Sequence, residues 1–301
     1  MPDYLRKPEW LRIKLDTTPD TAAVRRDLRE KGLHTVCEEA KCPNLHECWS
    51  HHRTATFMIL GDTCTRRCRF CAVKTGKPDE PDEMEPGRVA ASVEKLGIEH
   101  AVITMVDRDD LADGGAKYLA MTGRAVKTRL PEATVEYLSS DMMGREESIA
   151  VLVDSAPDIL GHNVETVRRL TPFIRSRSDY DRSLGFLETA GRLDGDLLLK
   201  SSIMLGLGEE MGEVLETLAD IRDAGCRLVN IGQYLQPTRR HVPVKRYWRP
   251  AEFVELARAA RKMGFEHVEA GPLVRSSYHA GNQLKELLAA RRRTAGAGRG
   301  R

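Results

Sequence analysis

The stretch Phe57–Cys71, FMILGDTCTRRCRFC, decides the fold predicted for this chain. Its short apolar run predicts a buried strand, and the Gly-Asp-Thr turn ends that strand. Cys64, Cys68 and Cys71 then follow in a C-x3-C-x2-C pattern. Three thiolates on one tight loop can hold three corners of a [4Fe–4S] cluster. A structural zinc site needs a fourth ligand, but no Cys or His occurs in the next twenty-eight residues. Such a cluster leaves one iron open to a small molecule.

This loop, with the aromatic Phe70 just before its last cysteine, resembles the cluster motif of the radical SAM superfamily. The resemblance implies that the open iron binds S-adenosylmethionine (SAM) through its amino and carboxylate groups and that SAM is cleaved to a radical. The alternatives are a zinc knuckle or three incidental buried cysteines. The strand before the loop favours the radical SAM interpretation, because the motif requires that context.

Composition excludes several classes of function. The net charge of +2, from 47 basic and 45 acidic residues, gives no global attraction to nucleic acid or anionic membranes. Aromatic residues make up 5% of the chain, which disfavours a base-stacking surface. No apolar run reaches the roughly 18 residues of a membrane span, and the N-terminus lacks the apolar core of a secretory signal. We therefore predict a soluble, cytoplasmic protein that binds neither membrane nor nucleic acid.

A second group of cysteines, Cys37, Cys42 and Cys48, has the spacing C-x4-C-x5-C and ends sixteen residues before Cys64. In a cytosolic chain cysteines are better explained as metal ligands than as disulfides. A small zinc site is one alternative, because the ligand types allow it, with the fourth ligand supplied by His46, His51 or His52. Two groups of three cysteines favour two clusters, the second completed by a residue far along the sequence.

Beyond Cys71, apolar runs alternate with amphipathic segments, as expected of βα units. We predict an α/β fold, a partial (β/α)6 barrel of the TIM type with six parallel strands and a final extended segment, because right-handed crossovers roll such strands into a barrel. Residues 1–50 form an N-terminal extension with the second group of cysteines, and residues 51–270 form the radical SAM barrel. Residues 271–301 form a C-terminal extension that ends in a disordered, basic tail.

Polar segments follow the predicted strands at their C-terminal ends, where barrel enzymes place their chemistry. Their shared position predicts one active site at Asp107–Asp110, Ser139–Asp141, His162–Glu165, Gly206–Glu209 and Gln233–Gln236. The aspartates at 107, 109 and 110 could suggest a divalent metal, but pairing with Arg108 explains them without one. Cys226 is predicted to be a packed structural thiol.

Further motifs make the resemblance specific. The chain resembles the lipoyl synthase family over roughly residues 33–281. The similarity is carried by Cys37, Cys42 and Cys48 together with the segment GPLVRSSY at 271–278. It extends to ATFMILGDTCTRRC at 55–68, VDRDDLADGGA at 106–116, HNVET at 162–166, MLGLGE at 204–209 and GQYLQP at 232–237.

The resemblance implies two [4Fe–4S] clusters. Cys64, Cys68 and Cys71 would hold the cluster that binds SAM. An auxiliary cluster would be held by Cys37, Cys42, Cys48 and Ser277, the second serine of the Arg-Ser-Ser-Tyr motif. Iron–sulfur clusters normally take soft thiolates, so a serine ligand marks a position where a ligand can leave, which fits a cluster that gives up sulfide. Without the family resemblance, this stretch would be read as an ordinary polar turn that closes the barrel.

The reaction implied is the insertion of two sulfur atoms at C6 and C8 of an octanoyl chain, by a radical SAM sulfurtransferase. The chain is carried on a lysine of a lipoyl-carrier domain or of the glycine-cleavage H protein. A general base cannot attack an unactivated C–H bond, so a radical derived from SAM removes the hydrogen, and no acid–base pair is predicted. A ferredoxin or flavodoxin supplies electrons, and an iron–sulfur cluster carrier is a further implied partner.

Three residues are candidates for contacts with SAM. Asn163 and Glu165 are expected at the ribose or the amino group, and Lys200 at the carboxylate. Asn163 could instead cap a following helix, and Lys200 could be a solvated charge.

The chain departs from the family pattern at His51–His52, at Met105 and in the segment SDMMG at 140–144. The last two are expected near the mouth of the active site, where Met105, Met142 and Met143 would alter the octanoyl pocket. Two other classes remain open. A methylthiotransferase or a biotin-type sulfurtransferase would lack both the upstream cysteines and the Arg-Ser-Ser-Tyr motif, and the near-neutral charge disfavours a zinc module that binds nucleic acid.

Overall fold

The computed structural model describes residues 5–12, 19–40, 42, 44–50 and 55–287. His51, His52 and the basic tail at 291–301 lie outside these ranges. The strands are β1 (His34–Thr35), β2 (Thr56–Ile59), β3 (Thr63–Cys64), β4 (Lys74–Thr75), β5 (His100–Met105), β6 (Thr134–Leu138), β7 (Ile159–Gly161), β8 (Leu198–Leu205), β9 (Leu228–Gln233) and β10 (His267–Gly271).

The helices are α1 (Pro19–Glu30), α2 (Val36–Glu39), α3 (Leu45–Ser50), α4 (Glu85–Lys95), α5 (Ala116–Arg129), α6 (Glu146–Asp154), α7 (Thr171–Ile174), α8 (Tyr180–Leu193), α9 (Met211–Asp223) and α10 (Pro250–Lys262). Two short 3-10 turns lie at Glu9–Leu11 and Met142–Gly144. In the described part of the chain, helices of the length and apolarity needed to cross a membrane do not occur.

The main sheet has eight strands in the order β1-β2-β5-β6-β7-β8-β9-β10. From β2 to β10 every neighbouring pair is parallel, and only β1 runs antiparallel, along the outer edge of β2. The two edges of the sheet do not pair within the described residues, so the barrel is open. The predicted partial barrel is confirmed, and the final extended segment proves to be a seventh parallel strand, because β10 pairs with β9 over five residues.

Apolar patterning explains this architecture. Every residue of β2 and β9 is buried, as expected of parallel strands covered on both faces. Helices α4, α5 and α8 each bury one apolar face against the sheet and expose the other. Helix α5 approaches the sheet closely at Gly123, where a Cβ would lie 1.9 Å from the Tyr137 hydroxyl. A glycine is therefore required at this contact between α5 and β6.

The segment after β10 fills the open side of the barrel. Its start passes Gly232 of β9, where a Cβ would lie 2.2 Å from the Val274 carbonyl oxygen, so a side chain at 232 would block its path. Ser277 accepts a hydrogen bond of 2.8 Å from Thr56 of β2. Residues 280–287 are helical, and Leu284 and Leu287 pack against the first residues of β7, β8 and β9. Residues 274–277 thus span the open side between β9 and β2. The helical residues 280–287 cover the end of the barrel opposite the strand C-termini.

Candidate functional site

A cavity of about 510 Å³ lies at the C-terminal ends of the parallel strands. Side chains from the inner face of the sheet form its wall, and successive strands contribute Met58, Thr104, Leu138, Ser202 and Gly232. Because strands as far apart in the sheet as β2 and β9 can face one cavity only when the sheet curls around it, this lining shows that the sheet is curved like a barrel wall. Four of the five polar segments predicted at the strand ends line this cavity, whereas Gly206–Glu209 does not, because Glu209 is bonded to the amides of its own turn and to Trp248.

Cys64, Cys68 and Cys71 all line the cavity. Their loop is anchored at both ends by the small parallel pair of β3 and β4. The Thr65 amide donates 3.0 Å to the carbonyl of Asp107, and a hydrogen bond of 2.9 Å joins His241 Nε2 to the Cys71 carbonyl oxygen. Burial raises the pKa of each of the three thiols to about 12. A cationic partner such as iron is therefore needed to hold them as thiolates.

Arg66, inside the cysteine motif, organises the carboxylates around the loop. Its side chain is 1% exposed and donates to Asp109 at 2.8 and 2.9 Å and to Asp141 at 2.6 and 3.0 Å. Asp107 lies 3.3 Å from the same guanidinium. Burial alone would raise the pKa of Asp141, but the hydrogen bond from Arg66 and the nearby positive charges hold it well below its usual range. This role of Arg66 is not predictable from its own stretch of sequence, because its partners lie 43 and 75 positions away.

The predicted pairing of the aspartates with Arg108 is correct for only one of them. Arg108 donates to Asp110 at 2.8 and 2.9 Å, whereas Asp107 and Asp109 face Arg66. The reason is the fold, because the loop after β5 turns its first carboxylate back over the cysteine loop, where Cys64 Sγ lies 3.5 Å from Asp107. Burial raises the pKa of Asp107.

The upstream cysteines and the Arg-Ser-Ser-Tyr segment meet beside the cavity. The Cys37 thiol interacts with the backbone and hydroxyl of Thr56, and the same hydroxyl donates 2.8 Å to Ser277. Cys42 lies within electrostatic reach of Arg275, and burial, opposed by Cys42, lowers the pKa of that guanidinium. The structure thus brings Cys37, Cys42 and Ser277 into one region. Cys48 is buried in α3.

Two asparagines fix this region, and no local sequence pattern predicts the role of either. Asn44 Nδ2 donates 2.7 Å to the Leu273 carbonyl and so ties the upstream cysteine loop to the C-terminal extension. Asn230, fully buried on β9, donates to the carbonyls of Arg275 and Ser276 at 2.8 and 2.9 Å. The two hydrogen bonds from Asn230 fix the position of the backbone immediately before Ser277.

The donor sets fit iron–sulfur clusters. Among the residues that the structure describes, no three Cys, His, Asp or Glu side chains are grouped closely enough to bind a single metal ion. A [4Fe–4S] cluster has a different requirement, because each ligand binds a separate iron at a corner of the cubane. Three thiols on one loop that line one cavity meet that requirement.

Asn163 and Glu165 also line the cavity. Asn163 donates 3.1 Å to the Glu165 carboxylate, and a turn rather than a helix follows it directly, so it is not a helix cap. Glu165 adopts a φ of +70°, a strained conformation for a residue other than glycine and one that clusters at functional sites. Burial raises the pKa of its carboxyl.

Lys200 lies outside this site. Its ammonium group donates 2.9 Å to Glu136, and both side chains are 3% exposed. Along β8 the residues that line the cavity are Ser202, Ile203 and Met204, so Lys200 lies further from the strand's C-terminal end than any of them. The structure therefore does not support its predicted contact with the SAM carboxylate, and its charge is buried rather than solvated.

Arg175 and His162 are cavity residues that the sequence analysis did not single out as ligands. Arg175 is buried and donates to the Val164 carbonyl and the Ser183 hydroxyl at 3.0 and 2.9 Å, while its Nε has no partner in the described residues. His162 Nδ1 lies 3.0 Å from the Ser139 carbonyl oxygen, and its Nε2 is likewise unpartnered within them. Burial and the charge of Arg175 lower the pKa of His162 to about 4.

The methionines that depart from the family pattern have different positions. Met105 lines the cavity, as expected. Met142 is buried, and a Cβ on Gly114 would lie 3.2 Å from its sulfur. The Met143 sulfur accepts from Arg66 at 3.2 Å. Neither Met142 nor Met143 lines the cavity, so they do not shape the pocket wall directly. Met143 instead contacts Arg66, which holds the carboxylates around the cysteine loop.

Comparisons with solved structures agree with this fold. A methylornithine synthase aligns with a TM-score of 0.57 at 12% identity, covering 81% of this chain and 73% of that one. The FeFe-hydrogenase maturase HydG from Carboxydothermus hydrogenoformans aligns with a TM-score of 0.59 at 15% identity, covering 78% of this chain and 56% of that one. At such identities the likeness concerns the fold alone.

Sequence relatives are far closer. Residues 58–221 match the model of the radical SAM superfamily. The chain is 57% identical to the lipoyl synthase of Halalkalibacterium halodurans over 284 residues, 94% of each chain. It is 56% identical to the lipoyl synthase of Bacillus subtilis over 284 residues, 94% of this chain and 95% of that one. With most residues identical over nearly the full length, the chain belongs to the lipoyl synthase family of the radical SAM superfamily.

Proposed function

We propose that this protein inserts two sulfur atoms at C6 and C8 of an octanoyl chain carried on a lysine of a partner protein. The observation that supports the proposal is one cavity lined both by Cys64, Cys68 and Cys71 and by Val36 and Ser276, the neighbours of Cys37 and Ser277. Cys37 interacts with Thr56, and the Thr56 hydroxyl donates 2.8 Å to Ser277, 221 residues further along the chain. A sulfur donor and a radical source that share one substrate require such an arrangement.

Radical SAM enzymes of this family use SAM and [4Fe–4S] clusters. In the proposal, Cys64, Cys68 and Cys71 hold the cluster that binds SAM, and Cys37, Cys42, Cys48 and Ser277 hold the auxiliary cluster. When bound, these groups supply the radical that removes a hydrogen from an unactivated carbon and the sulfur that replaces it. The chain's own side chains position the groups and exclude water.

SAM would be oriented by Asn163, Glu165 and Arg175. The paired amide and carboxylate of Asn163 and Glu165 suit hydroxyl or amino groups. Arg175 takes the place predicted for Lys200, because it is a buried guanidinium in the cavity with an unpartnered Nε in the described residues. A guanidinium with a free N–H binds a carboxylate strongly.

The wall between the two cysteine groups suits an acyl chain. Val36, which directly precedes Cys37, lines the cavity together with Met58, Ile203 and Val274. These apolar side chains would bury the methylene groups of an octanoyl chain at about 0.8 kcal/mol per CH₂. The chain would then lie between the sulfur donor and the SAM site.

The proposed partners are an octanoylated lipoyl-carrier domain or glycine-cleavage H protein, a reductant of the ferredoxin or flavodoxin type, and an iron–sulfur cluster carrier. The cytoplasmic location remains a prediction from the sequence.

The test is anaerobic analysis of iron and sulfide in the wild type and in the triple variant Cys37→Ala/Cys42→Ala/Cys48→Ala. We expect the variant to lose about half the iron, as for one of two four-iron clusters, to cleave SAM with dithionite, and to form no lipoyl product. A Cys226→Ala variant is the control, because that thiol is fully buried and belongs to neither group. If the reconstituted wild type holds one cluster's worth of iron, or holds zinc, the sulfur-donor assignment fails.

A further inference from the structure

Two segments of the chain concentrate positive charge without any acidic residue. Residues 65–78 contain five Lys or Arg and no Asp or Glu, and residues 234–249 also contain five and none. Because the whole chain has 47 basic and 45 acidic residues, these two segments carry a strong local excess of positive charge. The first segment is the loop with Cys68 and Cys71, and the second follows β9.

The fold places these segments side by side. The amide of Val242 donates 3.0 Å to the carbonyl of Arg69, and His241 bonds to the carbonyl of Cys71 at 2.9 Å. Some of the charges are already used, because Arg66 is buried among aspartates, Lys74 lies 3.7 Å from Asp62, and Arg246 pairs with Glu252. The remaining charges are free to act on a partner.

Four exposed arginines, Arg67, Arg69, Arg239 and Arg240, form what we call the basic face. No hydrogen bond or ion pair engages their side chains in the part of the chain that the structure describes. An aromatic side chain adjoins them, since the amide of Arg69 donates 2.8 Å to the carbonyl of Ile174 and the neighbouring Phe173 is 66% exposed. Arginines around an exposed aromatic ring are typical of protein interfaces.

The position of the basic face indicates what kind of partner it meets. Arg67 and Arg69 flank Cys68, yet none of the four arginines lines the cavity, whereas Cys68 does. A partner bound here reaches the cluster loop from outside the cavity that receives SAM and substrate. A protein that delivers an acyl chain has to engage the cavity mouth instead, so the geometry favours a partner that exchanges only electrons.

We propose that the basic face is the docking site of an acidic one-electron donor protein. The inference rests on the proposed function, in which Cys64, Cys68 and Cys71 hold a [4Fe–4S] cluster. One electron passes from the reduced cofactor of the donor to that cluster, so the donor is oxidised by one electron and the cluster is reduced by one, and no bond or proton is transferred in this step. Opposite charges orient the encounter and make binding dependent on salt.

The test measures binding of a purified acidic flavodoxin to the cluster-loaded protein by calorimetry at low and physiological ionic strength. The variants are Arg67→Glu/Arg69→Glu and Arg239→Glu/Arg240→Glu, the second pair lying outside the cysteine loop. We expect the Kd for flavodoxin to rise at least about tenfold in each, with a weaker dependence on salt. Arg258→Glu/Lys262→Glu, on the exposed side of α10, is the matched control, whose Kd should stay within about twofold of the wild type.

Two further measurements separate the possible outcomes. The rate of SAM cleavage driven by flavodoxin, divided by the rate driven by dithionite, should fall in the basic-face variants and not in the control. An unchanged Kd for flavodoxin overturns the proposal, as does a weakened Kd for an octanoylated carrier domain alone. Failure of the cluster assignment is recognised independently, because iron content and dithionite-driven SAM cleavage would be absent in the wild type itself.

Discussion

Lys200 and Glu136 form a buried ion pair beneath the cavity, and removing its cation tests whether Lys200 has a structural role or binds SAM. The ammonium group lies 2.9 Å from the carboxylate, and both side chains are 3% exposed. His100 Nε2 lies 3.4 Å from the other carboxylate oxygen. In a Lys200→Met variant, methionine fills similar volume but leaves Glu136 charged and buried.

The expected cost follows from the geometry. Two unit charges 2.9 Å apart attract each other by about 6 kcal/mol at an effective dielectric constant of about 20. Measured costs of removing one partner of a buried pair are about 3–5 kcal/mol. We therefore expect Lys200→Met to lower the free energy of unfolding by about 3–5 kcal/mol. The double variant Lys200→Met/Glu136→Gln buries no lone charge and should be more stable than Lys200→Met.

The pH dependence of this loss can also be predicted. In the native protein burial opposes the charge of Glu136, but Lys200 and His100 outweigh burial and lower its pKa. Its contribution to stability is therefore present above the unfolded pKa of about 4.3 and is lost as the pH falls through the lower folded pKa. Without Lys200, burial dominates and raises that pKa, so the folded variant takes up a proton more readily than the unfolded chain. The difference from the wild type should shrink between pH 8 and pH 5.

Urea unfolding followed by circular dichroism at both pH values, with equal m-values, measures these differences, and equilibrium dialysis measures SAM binding. The double variant lacks a carboxylate at 136 and should show no such pH effect. A Lys200→Met protein with wild-type stability and a weakened affinity for SAM would refute the structural interpretation and restore the contact predicted from the sequence.

Three further predictions concern residues around the cavity. Arg66→Met removes the guanidinium that Asp107, Asp109 and Asp141 share, although Arg182 still donates 2.9 Å to Asp141; the free energy of unfolding should fall by about 3–5 kcal/mol, and unchanged urea unfolding would contradict this. Arg175→Met removes the buried cation of the cavity, so the Kd for SAM should rise about 10–100-fold, as for a hydrogen bond to a charged group; iron content, measured in parallel, should not change. Asn230→Leu frees the backbone before Ser277, so about half the iron should be lost while dithionite-driven SAM cleavage persists; full iron content would exclude this positioning role.

The strands and the cysteine loop were predictable because their signals are local. Apolar runs such as the one starting at Phe57 specify buried parallel strands, and cysteine spacing specifies a cluster loop whatever surrounds it. Partners from distant segments were not predictable. Arg66 finds Asp141 75 positions away, and nothing in either local sequence encodes that pairing. The position of Lys200 outside the cavity was not predictable because every residue of β8 except Met204 is buried, so the sequence indicates that position 200 lies inside but not at what depth.

The position of Ser277 depends on contacts that are independent of its own local sequence. Thr56 of β2 donates to its hydroxyl, Asn230 of β9 holds the two preceding carbonyls, and Gly232 leaves space for the backbone beside β9. These contacts come from β2 and β9, each the second strand from one edge of the open sheet, so the barrel wall fixes this serine without any metal. A serine ligand placed in this way could leave an iron atom while its segment stays in place, whereas the soft thiolates of Cys64, Cys68 and Cys71 suit an iron–sulfur cluster better than a serine oxygen. In the proposed function, this difference makes the auxiliary cluster the one that can give up sulfur.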